Sequence, residues 1–533
     1  MTTTAATAAP RSPLALPLFR SLWLAQLASG IGGWMQTVGG QWMLVSRPGA
    51  ATWVSLVQAA SLLPVLFVSL PAGVLADVLD RRRLLVAVHA SMALGAGVLA
   101  ALTAAGLTTP ALLIALTFLL GCGQAVGNPA WQAIQPELVP REQIPAAAAL
   151  GSMGVNVARA IGPALAGVLL TATSTWVLFT LNAVSYLAVV AALLAWRREE
   201  PADAQAEAVA PALHAGARYV RNAPGVRRIL LRAALFVLPA AALWALLPVV
   251  ASDRLHQGSG GYGLLLAALG LGAVLGAALM GPVRQILTPS HLVATASVLF
   301  ALGTLAAGLV DSLAAVTVLM VPTGLGWLLA LSALNTTMQL SLPAWVRARG
   351  LAVYLMVFMG GQGIGSLLWG LLARPLTTTG ALVLSAALLL LTALAMPVLP
   401  LLPQSGTLDR TLAAAWPEPV LSFTPDPEGG PVLVEIEYHV GKADAPAFLA
   451  AARRLGTSRL RTGATRWGMF RDAASPGHYV EVFELPSWDE HLRQHHGRTT
   501  GYDQELLDAI RAHATGEPEV RHLLPANPSS PSP

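Results

Sequence analysis

A short run of small, acidic and triply basic residues separates two long apolar segments: Gly73-Val74-Leu75-Ala76-Asp77-Val78-Leu79-Asp80-Arg81-Arg82-Arg83. Apolar stretches of about 20 residues, the length of a helix that crosses roughly 30 Å of hydrocarbon, recur on both sides of it. They continue from Leu18 to about Leu402. The run therefore indicates a hinge between membrane helices, and the pattern predicts an all-α polytopic membrane protein.

The composition excludes an ordinary soluble protein. The chain has 533 residues, of which 55% are hydrophobic and 11% charged, and its mean hydropathy is +0.62. We expect twelve transmembrane helices in two six-helix halves, at residues 18–46, 52–76, 84–107, 110–136, 144–171, 174–196, 228–252, 261–286, 290–309, 313–341, 350–373 and 379–402.

This count divides the chain into seven parts. They are an N-terminal tail (1–17), a six-helix bundle (18–196), a middle loop (197–227), a second bundle (228–402), a linker (403–430), a small α+β domain (431–524) and a disordered tail (525–533).

Arginines occupy every second connection between the spans. The set is Arg81, Arg82, Arg83, Arg141, Arg197, Arg198, Arg218, Arg221, Arg227, Arg228, Arg284, Arg347 and Arg349, whereas the other connections carry only Arg47, Arg254 and Arg374. By the positive-inside rule the arginine-rich loops and both termini are predicted to be cytoplasmic. The net charge of +5 thus reflects topology, and no nucleic-acid partner is expected. The alanine- and arginine-rich composition favours a bacterial plasma (inner) membrane.

Three motifs resemble the major facilitator superfamily. Gly73-x-Leu75-Ala76-Asp77 with its basic cluster is similar to the loop-two signature, Asn156 to Pro163 resembles the Gly-Pro motif of the antiport branch, and Trp34 to Val38 resembles enterobactin-exporter-like members. The resemblance implies alternating access, export of a small amphipathic molecule such as a drug, siderophore or metabolite, and proton coupling. The fourth-helix arginine of many proton-coupled members has no counterpart in Gly121–Asn128.

A conformational latch is predicted around the loop motif. Asp77 lies near the C-terminal end of its helix, where a negative charge opposes the helix dipole, so it needs a positive partner. We expect it to meet the helix N-terminus near Gly350, and the whole latch set is Gly73, Asp77, Arg81, Arg82, Arg83, Arg347 and Arg349. The alternative, that these charges only set topology, stays open.

Small residues predict close helix packing, and polar residues predict a cavity. The packing set is Gly154, Gly162, Pro163, Gly167, Gly361 and Gly365. The candidate cavity set is Gln36, Gln41, Gln124, Asn128, Gln132, Asn156, Arg159, Asn182, Asn335, Gln339 and Gln362. Hydrogen bonding between helices explains the cavity set equally well. Arg159 either contacts the substrate or holds backbone carbonyls near Pro163.

The tail predicts a separate domain that resembles a ferredoxin-like α+β fold. Val432–Val440 alternates as a strand, Pro446–Leu455 favours a helix, and Thr465–Arg471 with Tyr479–Leu485 favours a hairpin, followed by helices from Ser487 and Tyr502. Folds of this type include dimeric monooxygenases, so the alternatives are a dimerisation or regulatory module, with self-association, or a monooxygenase-like module.

No enzyme, cofactor or metal site is predicted. The chain lacks an aspartate-rich diphosphate motif, a nucleophile elbow and a Gly-rich phosphate loop. His491 and His495 have a spacing that suits metal ligands on one helix face. Solvated polarity of that helix is the preferred explanation, because neither a cysteine nor a tight acidic cluster completes a site.

Overall fold

The computed structural model describes residues 12–196, 209–402, 408–413 and 423–526. The first eleven residues, the first part of the predicted middle loop, much of the predicted linker and the last seven residues lie outside these ranges. The surroundings of Gly73 and the side chains of Asp77 and His496, among others, also lie outside the described part.

The chain forms two compact units. The first contains Met1–Ala206, Arg232–Leu334 and Leu355–Pro400, and the second contains Glu207–Leu231, Asn335–Tyr354 and Leu401–Pro533. The second unit therefore combines the C-terminal α+β domain with two segments that precede residue 400.

Fourteen α-helices precede residue 400 in the described ranges. They are α1 (Pro17–Trp42), α2 (Ala50–Leu62), α3 (Pro64–Val78), α4 (Arg81–Ala104), α5 (Pro110–Ile134), α6 (Ile144–Ala172), α7 (Thr175–Ala195), α8 (Val209–Asn222), α9 (Pro224–Val249), α10 (Ser259–Ile286), α11 (Pro289–Leu309), α12 (Leu313–Ser341), α13 (Ala344–Leu355) and α14 (Gly361–Leu394). The start of α4 is capped by the Asp80 carboxylate, which accepts from the Arg83 amide at 2.7 Å.

Ten helices within the described ranges are long and apolar enough to cross a membrane. The 26-residue α1 is not among them, and its sequence contains three glutamines and five glycines. The tenth, Ala344–Leu394, contains Thr377 at φ 64°, a non-helical conformation that divides it into two helical segments. The last predicted span is wrong at its end: the helix stops at Leu394 rather than residue 402, ahead of Pro397 and Pro400.

The C-terminal α+β domain (residues 432–523) contains four strands and three helices. The strands are β1 (Val432–His439), β2 (Arg466–Arg471), β3 (His478–Leu485) and β4 (Thr515–Leu523), and the helices are α15 (Ala445–Thr462), α16 (Trp488–Arg493) and α17 (Gly501–Arg511). The sheet is antiparallel with the order β2-β3-β1-β4. Alternate residues of β1 and β3 face a core that includes Ile436, Phe448 and Phe483.

The structure has the predicted hairpin, with Arg466 opposite Glu484 and Arg471 opposite Tyr479. It differs from the sequence expectation in two elements. The predicted helix at Pro446–Leu455 continues to Thr462. Strand β4 was missed because its start, Thr515-Gly-Glu-Pro-Glu519, is rich in residues that are uncommon in strands.

Candidate functional site

Aromatic rings from several helices of the first unit form a continuous cluster. Trp34 of α1 lies 5.9 Å from Trp244 of α9 between ring centroids. Trp244 in turn lies 5.2 Å from Trp327 of α12. Three phenylalanine rings surround Trp327 at 5.5–5.9 Å: Phe236, Phe300 and Phe358. The cluster therefore joins a helix of the first predicted half to helices of the second.

Arg159 of α6 lies at the edge of this aromatic cluster. Its guanidinium carbon is 5.9 Å from the centroid of the Trp34 ring. Its Nη1 is buried without a hydrogen-bond partner among the described residues, and the same holds for Nε1 of Trp244 and of Trp327. Buried donors are normally paired, because an unpaired one costs about 1–3 kcal/mol. A cation and two indole N–H groups on an aromatic wall are suited to bind an acidic, partly aromatic molecule.

The sequence pointed to Arg159 but missed the two indoles. Nothing in the residues around a tryptophan separates a packing indole from one whose N–H has no partner, so only the structure distinguishes them. Asn156, the neighbour suggested for Arg159, instead donates from Nδ2 to the Ser152 carbonyl at 3.0 Å.

Several predicted cavity residues are buried in hydrogen bonds between helices. Asn182 donates to Gln36 at 2.6 Å, and Gln41 both donates to Gln58 at 3.0 Å and accepts from Tyr262 at 2.7 Å. Gln362 is buried as well. Gln36, Gln41 and Asn182 therefore take part in hydrogen bonds between helices.

Other predicted cavity residues are exposed. Gln124, Asn128 and Gln132 share one exposed face of α5, and Gln124 donates to Asn128 at 3.0 Å. In the second unit Gln339 donates to Asn335 at 2.8 Å. Their role in a cavity stays a prediction.

Helices of the two predicted halves meet at the end of the first unit that carries the arginine-poor loops. Besides the Tyr262–Gln41 hydrogen bond, Tyr262 stacks on Trp42 with centroids 5.9 Å apart. Thr52 of α2 donates to the carbonyl of Gly370 in α14 at 3.1 Å, and Arg374 Nε donates back to the Thr52 hydroxyl at 3.0 Å. This end is held by polar contacts as well as by packing.

The same end contains a cavity of about 310 Å³ lined by Asp253, Arg254 and Thr377–Thr379, among others. Arg254 forms an ion pair with Asp311 at 2.8 Å and donates to the Thr379 hydroxyl at 3.0 Å. The charge of Arg254 is thus neutralised locally.

The predicted packing glycines lie where helices approach closely. A Cβ at Gly167 would lie 2.5 Å from the Cα of Gly263 in α10, and one at Gly162 would lie 2.6 Å from the Trp34 Cβ. In α14, a Cβ at Gly365 would lie 2.7 Å from Ala241 Cβ, and one at Gly361 would lie 2.8 Å from Val237 Cγ1. Pro163 is buried inside α6, and Gly154 faces the Trp23 ring.

A comparison with protein families places the chain among known membrane proteins. The profile of the family described as transmembrane secretion effectors, a branch of the major facilitator superfamily, matches residues 8–530. The chain belongs to this family. It is accordingly a multi-pass membrane protein.

Curated relatives carry transport names. The enterobactin exporter EntS of Citrobacter koseri is 29% identical over 68% of this chain and 86% of its own length. The multidrug efflux pump Tap of Mycobacterium bovis is 28% identical over 50% of this chain, and the staphyloferrin A transporter of Staphylococcus aureus is 32% identical over 30% of it. The matches span 64% and 41% of those two relatives, respectively.

Solved structures share the fold. A point mutant of the nucleoside transporter NupG superposes with a TM-score of 0.58 at 15% identity, over 72% of this chain and 100% of that one. A bacterial homologue of the human lysosomal transporter Spinster, in an inward-facing occupied form, gives 0.58 at 16% identity, over 73% and 97%.

Two arginines of the family's loop motif have partners within the first unit. Arg81 pairs with Glu137 at 3.0 Å. Arg82 donates to the carbonyls of Leu193 and Leu194 at 2.8 and 3.0 Å, at the C-terminal end of α7, where a cation is favoured. The Arg83 side chain is exposed.

The remaining latch residues are not brought together by any described contact. Asp77 lies in the last turn of α3, but its side chain and the surroundings of Gly73 are outside the described part. In the second unit Arg347 is exposed, and the Arg349 side chain packs beside Gly216 of α8. The latch therefore stays a prediction.

Buried charges connect the α+β domain with other segments of the second unit. Glu490 accepts from both Nη atoms of Arg498 at 2.7 Å and from Arg218 of α8 at 2.9 Å. Burial opposes ionisation of Glu490, but Arg498 and Arg218 outweigh it and lower its pKa. The Arg498 guanidinium also lies 5.0 Å from the Trp345 ring centroid, and Trp345 packs edge-on against Tyr219 at 5.6 Å.

Three histidines of the α+β domain gather in one place. One ring nitrogen from each of His491, His495 and His522 lies within 4.8 Å of the others. The solvated-helix explanation is wrong for His491, which is 1% exposed and packs against Trp488. Burial, helped by repulsion from His495 and His522, lowers the pKa of His491 to about 3. Its imidazole is therefore neutral at physiological pH and able to act as a ligand.

Proposed function

We propose that the protein is a secondary active transporter that exports small amphipathic molecules by alternating access. The observation that carries this proposal is a group of three donors within helices that have no hydrogen-bond partner among the described residues: Arg159 Nη1, Trp244 Nε1 and Trp327 Nε1. Because Trp34 and Arg159 come from the first six predicted spans and both indoles from the later ones, a ligand held there would contact both halves.

The chemistry of this group favours an acidic substrate with aromatic or apolar parts. An arginine inside a membrane span is costly and is normally functional. The names of the relatives, enterobactin exporter, staphyloferrin A transporter and multidrug efflux pump, support transport of small molecules out of the cell.

We further propose twelve spans in a bacterial inner membrane, with both termini cytoplasmic. The ten apolar helices, α1 and the division of Ala344–Leu394 at Thr377 support this number. In this orientation the Tyr262–Gln41 and Arg374–Thr52 contacts lie at the outer end, so they close the outward path. Release of substrate requires these contacts to break, and proton antiport supplies the energy.

Efflux from everted or intact vesicles tests the transport site. A panel of acidic, neutral and basic aromatic compounds is loaded with and without a pH gradient, and Arg159→Gln and Trp244→Phe are compared with wild type. Trp176→Phe is the matched control, because Trp176 is an exposed tryptophan at the start of α7. Gradient-dependent efflux of acidic compounds should fall at least about tenfold in Arg159→Gln.

Equal efflux in Arg159→Gln and wild type, with equal amounts of folded protein in the membrane, would contradict the site. Efflux that does not depend on the pH gradient would contradict proton coupling but would not contradict the proposed site.

We propose as a second function that the C-terminal domain, with a ferredoxin-like arrangement, regulates transport. The supporting observation is that Glu490 and Arg498 bind Arg218 and Trp345, residues on segments adjoining the second bundle. A domain held by such contacts affects how these segments move. A monooxygenase-like activity predicts oxygen consumption, whereas regulation predicts a change in transport rate alone.

Arg218→Gln tests this second function in the full chain, with the exposed Arg221→Gln on the same helix as control. We expect the maximal efflux rate to change severalfold in Arg218→Gln and to stay at the wild-type value in Arg221→Gln. Identical rates in both variants would contradict regulation through this contact.

A further inference from the structure

The histidine cluster of the C-terminal domain is built from two elements that are distant in sequence. His491 lies in α16 and His495 follows one turn later on the same face, while His522 lies near the end of β4. The ring centroid of His491 is 4.5 Å from that of His495 and 4.8 Å from that of His522. The fold therefore brings three imidazoles to one point.

His491 has no other evident task in the domain. Neither of its ring nitrogens has a hydrogen-bond partner among the described residues, although the side chain is almost fully buried. Buried polar atoms without partners are rare in native proteins and call for a missing ligand, water or ion.

The arrangement fits a divalent transition metal. Three neutral histidines with a fourth position open to water form a known type of zinc site, with Zn–N bonds of about 2.0–2.1 Å. Tetrahedral ligands at that distance lie about 3.4 Å apart, so nitrogens within 4.8 Å need only small side-chain adjustments. His495 and His522 are partly exposed, which gives an ion access.

We propose that the C-terminal domain binds one zinc-class divalent metal ion through His491, His495 and His522. Imidazole ligands suit zinc, nickel, copper and cobalt, and hard ions such as magnesium are disfavoured. Bound metal joins α16 to β4, which is an edge strand of the sheet and pairs only with β1 among the described strands. The ion thereby anchors an edge strand that the sheet holds from one side.

Metal content of the full-length protein tests the proposal. The protein is purified in detergent with a tag that contains no histidine, equilibrated with zinc, dialysed and measured by mass spectrometry. We expect about one zinc per chain in wild type and in the control His513→Gln, a histidine of the same domain outside the cluster. His491→Gln, His495→Gln and His522→Gln should each bind at least about tenfold more weakly.

Cobalt substitution adds a direct view of the coordination. The wild-type protein should show the visible absorption of tetrahedral cobalt, and His522→Gln should lose it. His522 is only partly buried, so this variant tests the site even if His491→Gln does not fold. Absence of stoichiometric metal in wild type, or unchanged metal content in His495→Gln and His522→Gln, would overturn the proposal.

Discussion

Glu481 is a buried carboxylate that is surrounded by hydrogen-bond donors. Its carboxylate has no solvent exposure and accepts from the Tyr438 hydroxyl at 3.0 Å, from Arg459 Nε at 3.1 Å and from Trp467 Nε1 at 3.0 Å. A buried ion pair contributes little relative to an apolar replacement, yet loss of one partner leaves the other charge buried and uncompensated. The core of the α+β domain is therefore sensitive to this one side chain.

Glu481→Gln should lower the free energy of unfolding of the α+β domain by about 3 kcal/mol, because the buried Arg459 loses the Glu481 charge that it pairs with at 3.1 Å. Proteolysis of the full-length protein across a urea series measures the change. Glu519→Gln, an exposed carboxylate on β4, is the control and should stay within about 0.5 kcal/mol of wild type. Similar midpoints for the two variants would count against the buried-charge argument.

His478 predicts that the stability of the same domain depends on pH. Hydrogen bonds from its ring to Asp472 and then to Glu437 raise its pKa. The protonated form is thus favoured in the folded state, and its stabilisation is complete below the ordinary value of about 6.5 and disappears as the pH rises through the raised pKa.

We expect urea midpoints to fall between about pH 6 and about pH 8.5 in wild type, and to fall less in His478→Gln. His513→Gln provides the comparison, because the His513 ring has no carboxylate hydrogen bond among those described. An unaltered pH dependence in His478→Gln would show that another group titrates.

At the scale of the element, α6 and α10 are in backbone contact. Gly167 and Gly263 each occupy a place where a Cβ would lie 2.5–2.6 Å from the other's Cα, and a Cβ at Gly270 would lie 2.6 Å from Ala160 Cα. Small residues permit this approach, and any larger one forces the helices apart. The contact between α6 and α10 at Gly167 and Gly263 joins the two predicted halves at the arginine-poor end.

Gly167→Ala should shift the equilibrium between contact and separation of α6 and α10 toward separation by about 1–3 kcal/mol, since the added methyl overpacks the contact. Spin labels at Ala172→Cys and Gly258→Cys, in a Cys122→Ala background, would report a longer distance between α6 and α10. Gly97→Ala in α4 is the matched control, because a Cβ there meets no atom of the described residues within 4 Å. Unchanged distances in Gly167→Ala would refute this account.

At the scale of the whole molecule, the contacts at the arginine-poor end decide which path is closed. Tyr262 and Gln41 share one hydrogen bond, and Gln41 is held in turn by Gln58. Tyr262→Phe removes only the hydroxyl and should weaken closure by about 1 kcal/mol. A double-mutant cycle with Gln41→Leu, read from efflux rates, should give a coupling energy of about that size. Additive effects would mean that the bond does not contribute to closure.

Much of the architecture was readable from local pattern. Apolar runs and alternate arginine-rich loops predicted a polytopic helical membrane protein, and the motifs around Gly73 and Pro163 placed it in its superfamily. The hairpin of the tail followed from alternating residues at Thr465–Arg471 and Tyr479–Leu485. These features are encoded locally, because the length of an apolar run predicts a span and the period of its apolar side chains predicts a strand.

The sequence predicted the candidate functional residues less completely than the architecture. Arg159 was recognisable because a charge inside a span is costly, but Trp244 and Trp327 looked like any apolar aromatic residue. Similarly, Gln36 and Gln41 had the same appearance as cavity residues, and only their distances to Asn182, Gln58 and Tyr262 assigned them to hydrogen bonds.

The sequence by itself determined that this chain crosses a membrane many times and ends in a small α+β domain, since hydrophobic length and side-chain period act locally along the chain. Only the tertiary structure decided which donors lack partners, which glycines touch, and that His522 joins His491 and His495. Those properties depend on atoms that come from distant parts of the chain, and whether a buried polar atom is satisfied is known only once its neighbours are in place.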